Sequence, residues 1–134
     1  MATTLNYGQE DKKDVFETIA AARTLTAADS AKTFLLSAAA GAQVDIPLLK
    51  GFKARFLVGA AFASTNWTLK SATSVISGNV IVAGAHVAGA AENTISFVAS
   101  AESVGDYVDV FSNGVSIFIN GSGVETGSIT LTDA

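Results

Sequence analysis

Punctuation is the feature that most constrains this chain. Short runs that alternate apolar and polar residues are separated by turn residues along most of its length. Asn113-Gly114 and Asn120-Gly121 follow runs rich in β-branched and aromatic side chains. An Asn-Gly pair readily takes the positive φ that both central residues of a tight hairpin need, so it is the strongest short-range hairpin signal. A period of two places alternate side chains on opposite faces, which suits a strand covered on one side and no helix.

The same grammar extends back through the chain. Arg23-Thr24-Leu25-Thr26 alternates and is followed by a turn at Ala28-Asp29-Ser30. Lys32 to Leu36 reads as a strand ending near Ala40-Gly41, and Gln43 to Ile46 alternates until Pro47 stops it at an edge. Lys53 to Val58, Trp67 to Lys70, and Val75-Ile76 with Asn79 to Val82 across Ser77-Gly78 read as further strands. Thr94 to Val98, Asp106 to Phe111, Ser116 to Ile119 and Ile129 to Thr132 complete the set. Turn signals recur about every 8–12 residues, the spacing of an antiparallel sandwich or barrel. The expected fold is therefore all-β, a single antiparallel β-sandwich over residues 23–134.

Residues 1–22 differ in character. Gln9 to Lys13 is a charged cluster, and Val15, Phe16 and Ile19 have the i, i+1, i+4 spacing of one short helical turn. These apolar residues would be wasted on a free tail, so the segment is read as an N-terminal arm that docks on a partner. The Ala-Gly stretches 38–42, 59–63 and 83–91 lack the charged face of a solvated helix. Tight loops, strands packed closely against another chain, and small fillers of a thin core all fit them.

Composition excludes several classes of function. Charged residues are only 15% of the chain and hydrophobic ones 49%, so much of the surface must be covered by the fold or by neighbouring subunits. The net charge of −4 and a pI near 4.7 argue against nucleic acid as a partner, because the eight basic residues are scattered. Only Lys12-Lys13 and the group Lys50, Lys53 and Arg55 are clustered. Lacking cysteine, the chain has neither disulfides nor thiolate metal sites. No apolar stretch approaches the ~20 residues of a spanning helix, and no secretory signal is expected at the start.

Catalytic signals are equally sparse, and the chain is expected not to be an enzyme and to carry no cofactor or metal. His86, the one histidine, lies in an Ala-Gly setting with no carboxylate near it in sequence and no Gly-x-Ser-x-Gly elbow elsewhere. Asp106, Asp109 and Asn113 could offer hard oxygen ligands to Ca²⁺, yet form no EF-hand loop and read better as a solvated strand edge. Gly121, Gly123 and Gly127 lie between strands rather than before a helix, so they belong to a turn and not to a phosphate loop. Trp67 reads as core, with a sugar-binding platform as the alternative.

Two segments carry a resemblance. Ala21 to Leu36, continuing through Ala39 to Pro47, and Val104 to Val110, running into Ser112-Asn113-Gly114, resemble the capsid decoration (cement, or head-fibre-like) proteins of tailed bacteriophages. The similarity extends over most of residues 20–133, and departs at Ala31, where glycine is expected in the turn. It implies a jelly-roll-like sandwich that sits as a homotrimer on the outer surface of the virion head. Such a protein binds the major capsid protein, is assembled in the host cytoplasm, and cements the shell against internal DNA pressure. The arm and its residues Val15, Phe16 and Ile19 are the expected capsid anchors. Lys50, Lys53 and Arg55 are candidates for contacting acidic capsid loops, a solvated strand face being the leading alternative. The alternative is a receptor- or glycan-binding module of a head fibre or tail, using Trp67 and Tyr107; neither reading involves nucleic acid or a membrane.

Overall fold

The computed structural model describes residues 16–134. Twelve strands run in chain order as β1 (Phe16–Ile19), β2 (Arg23–Thr24), β3 (Lys32–Leu36), β4 (Gln43–Asp45), β5 (Lys53–Val58) and β6 (Trp67–Lys70). They continue as β7 (Ile76–Val82), β8 (Ala85–Glu92), β9 (Thr94–Phe97), β10 (Tyr107–Ser112), β11 (Ile117–Gly123) and β12 (Ile129–Thr132). One 3₁₀ turn, Ala27–Asp29, is the only helical element among the described residues. The fold is all-β, as the alternation predicts.

Two sheets face each other across one core. The larger has seven strands in the order β1-β3-β5-β10-β11-β7-β8, the smaller five in the order β12-β9-β6-β4-β2. Phe34, Phe56, Val108, Val110 and Ile117 from the larger sheet bury against Trp67, Leu69, Ile95, Phe97 and Ile129 from the smaller. Phe34 stacks on Phe56 with ring centroids 5.5 Å apart, which fixes the β3–β5 register in the core.

The connectivity corrects the expectation of an antiparallel sandwich. β1–β3, β3–β5, β2–β4, β4–β6 and β7–β11 pair in parallel. From β1 to β6 the chain crosses between the sheets after every strand. The turns at Asp29-Ser30 and Ala40-Gly41 are therefore arches over the core rather than hairpins, and neighbours within a sheet are next-but-one in sequence. A jelly roll is built from antiparallel pairs, and these parallel pairings do not give that connectivity.

Other local expectations are corrected too. Phe16–Ile19 is a strand paired with β3 instead of a helical turn. Asn120-Gly121 lies inside β11, where a Cβ on Gly121 would collide with the Tyr107 carbonyl of β10; glycine serves close strand approach there, not a turn. Gly78 likewise interrupts nothing, since β7 runs through it at a bulge with φ +140°. Asn113-Gly114 does turn the β10–β11 hairpin, with Asn113 Oδ1 accepting from the N–H groups of Val115 and Ser116 at 2.9 and 2.8 Å.

Candidate docking surface

Strand register places four exposed large side chains, Phe16, Ile81, Phe111 and Phe118, on the outer face of the seven-stranded sheet. Lys53, Phe111, Phe118 and Ser77 form one row across β5, β10, β11 and β7. Phe16, Thr33, Arg55, Asp109 and Asn120 form the next. Leu57, Tyr107, Ser122, Ile81 and His86 form the third. Paired residues point to the same side of a sheet, so all three rows face outward while Phe56, Val108, Val110 and Ile119 point into the core. Phe16 is 56% exposed, Phe118 48%, Ile81 45% and Phe111 43%.

Charge on this face is largely cancelled within the chain. Arg55 donates through Nε and Nη2 to the two carboxylate oxygens of Asp109 at 2.6 and 2.9 Å. Its guanidinium also lies over the Tyr107 ring, 4.5 Å from the centroid. The Asp109 carboxylate holds the Arg55 pKa above its ordinary value, partly offset by burial. Lys53 stays exposed and joins no ion pair among the described residues. Between Lys53, Arg55, Thr33 and Phe111 the face holds an open depression of about 210 Å³.

The opposite exterior is chemically different. Thr68, Ser96 and Thr130 make one row on the outer face of the five-stranded sheet, and Lys70, Thr94 and Thr132 the next. Hydroxyls dominate this face, and none of the large exposed hydrophobic side chains lies on it. The sandwich is thus polar on one side and aromatic on the other.

An ion-pair network fixes the edge of the aromatic face. Glu17 on β1 bonds Arg23 and, at 2.9 Å, Lys32; Asp29 bonds the same two cations at 2.7 and 3.1 Å. Arg23 also covers the Phe34 ring at 5.4 Å. Burial pushes the Asp29 carboxyl up, but the Thr26 N–H, Lys32 and Arg23 together outweigh it and hold its pKa below the ordinary value. β1 is thereby clamped to β3 beyond its own short ladder.

The expected site residues divide. Phe16, Lys53 and Arg55 come together on the aromatic face, although the Arg55 charge is already taken by Asp109. Lys50 sits beyond the sheet end, in the loop before β5 and against Gly114. Ile19 is 3% exposed and belongs to the core of its own chain, so it is not free to anchor a partner. Val15, and with it most of the expected arm, lies outside the described residues.

Sequence reasoning missed Phe111, Phe118 and Ile81. A signal was present: Tyr107 to Phe111 and Ile117 to Ile119 carry large apolar residues at both parities, the pattern of strands covered on both faces. Trp67 is fully buried, which removes the proposed sugar platform. Asp106, Asp109 and Asn113 hold a loop, an arginine and a turn respectively, and no group of metal-ligating side chains occurs among the described residues. His86 is exposed at the β8 edge, with Nδ1 3.2 Å from Asn79 Oδ1. Comparison with family models, curated proteins and solved structures finds no match for this chain.

Proposed function

We propose that this chain is a structural assembly protein that docks through the aromatic face of its seven-stranded sheet, and that its target is the outer surface of a tailed-phage head. The carrying observation is the contrast between the two exteriors. One carries hydroxyls and no large exposed hydrophobic side chain, its central Ser96 and Thr94 being covered; the other exposes Phe16, Phe111, Phe118 and Ile81 around a charge-neutral Arg55–Asp109 pair. Phe111 and Phe118, paired across β10 and β11, form an exposed apolar patch, with Phe16 and Ile81 outlying on the same face. An exposed apolar patch marks an interaction site.

Its size supports the reading. Seven strands about 4.8 Å apart and about 20 Å long make a face of roughly 670 Å², close to the ~800 Å² per partner of a standard specific interface. The resemblance to capsid decoration proteins supplies the target and the homotrimeric state. As a cement, the protein would act by bridging existing capsid seams, many copies multiplying a modest contact. The residues of the site would do this chiefly by burial: the phenylalanines supply area, the Arg55–Asp109 pair enters already matched, and Lys53 adds one contact to an acidic group on the target.

Immunogold electron microscopy of the phage particles whose genome encodes this chain is the test. Gold distributed over the heads, and lost with a Phe111→Ser/Phe118→Ser variant, supports the reading. Gold at tail tips, or particles without gold, overturns it.

A further inference from the structure

We propose that copies of this chain associate head to tail, through two rigid apolar tips at opposite ends of strands β10 and β11. The first tip is formed by the loop before β5 and the β10–β11 turn. It exposes Leu48, Leu49, Lys50 and Val115, the last 72% exposed. The Gly51 N–H donates to the Ser112 carbonyl at 2.9 Å, Gly114 packs on Lys50, and Asn113 Oδ1 holds the N–H groups of Val115 and Ser116.

The second tip lies about 20 Å away, the length of a six-residue strand. It exposes Val104, Val124 and Glu125. Asp106, itself 2% exposed, ties its two loops together, accepting from the N–H of Ser103 at 2.9 Å and of Val124 at 3.1 Å. Both tips are therefore ordered before any contact is made, which lowers the entropic cost of association.

Charge selects the partner and the direction. Lys50 at the first tip and Glu125 at the second join no ion pair among the described residues. Like-to-like pairing of either tip would oppose two lysines or two glutamates. Joining the first tip to the second of another copy matches Lys50 with Glu125 and covers four exposed aliphatic side chains, Leu48 and Val115 against Val104 and Val124. Such a contact is heterologous, so it closes into a ring or extends as a filament according to the rotation between copies. It leaves the aromatic face free and does not rest on the capsid reading.

Sedimentation velocity of the full chain over a range of concentrations, at low and high salt, tests this. Mass is expected to rise with concentration and to fall with salt. Lys50→Glu and Glu125→Lys should each weaken association about tenfold, and the double reversal should restore it. Both reversed positions are on exposed loops, and circular dichroism confirms the fold of each variant. A chain monomeric throughout, single reversals without effect, failure of the double reversal to recover, or association abolished by Phe118→Ser instead would overturn the proposal.

Discussion

Ala31 holds φ at +70°, a left-handed conformation that costs a residue with a Cβ about 1–2 kcal/mol. The turn it occupies is the position where the family resemblance led us to expect glycine. Ala31→Gly should raise unfolding stability by about 0.5–1 kcal/mol after the entropic cost of glycine, read as a higher urea midpoint at unchanged slope. Asp29 supplies a second prediction. Its folded pKa is depressed, so its contribution is complete above the ordinary carboxylate value of 3.8 and is lost as pH falls below it. Asp29→Asn should cost about 1–3 kcal/mol at neutral pH, and the gap from the parent protein should narrow in acid denaturation below that value. A gap constant with pH would show that the carboxylate charge is not what Arg23 and Lys32 stabilise. These residue-scale features were only partly legible: the Asp-Ser turn was visible in sequence, but the four-residue clamp among Glu17, Arg23, Asp29 and Lys32 needs the β1–β3 pairing to bring it together.

Among the elements, β3, β5, β6 and β9 could be read directly, because Phe34, Phe56, Trp67 and Phe97 alternate with polar or smaller partners. β8 could not. Its Ala85–Glu92 sequence has almost no β-branched or aromatic content, and it becomes a strand because the Ala83-Gly84 turn folds it back onto β7. Both turn residues have positive φ, 51° and 80°, with Val82 paired to Ala85 across them. That is the two-residue loop in which asparagine is favoured at the first position. Ala83→Asn should therefore stabilise the protein by about 0.5–1 kcal/mol, measurable by thermal unfolding; no change would mean that β8 contributes little to the cooperative unit. Asn120-Gly121 is the reverse case: sequence pattern cannot separate a glycine needed for the positive φ of a turn from one needed for close approach to Tyr107.

At the scale of the whole molecule, sequence gave the all-β class but neither its connectivity nor the aromatic exterior, since both depend on which sheet each strand joins. Phe111→Ser and Phe118→Ser, at half-covered rings paired across β10 and β11, should each lower folding stability by no more than about 1 kcal/mol, while weakening any complex made through that face. A large loss of stability in the free chain would place these rings in its own core instead. The arches between β1 and β6 have a consequence in time. No two strands of this half form a local hairpin: Phe16 must find Thr33, and Thr33 must find Arg55, before either parallel ladder exists. The chain must close loops across the core with little early reward, so refolding should fall in the millisecond-to-second range typical of topologies dominated by distant contacts. Trp67, buried between the sheets, is a built-in reporter of that closure in stopped-flow fluorescence. During synthesis the growing N-terminal half would stay open to solvent until β5 and β6 emerge, and the C-terminal hairpin would then seat β10 against an already waiting β5.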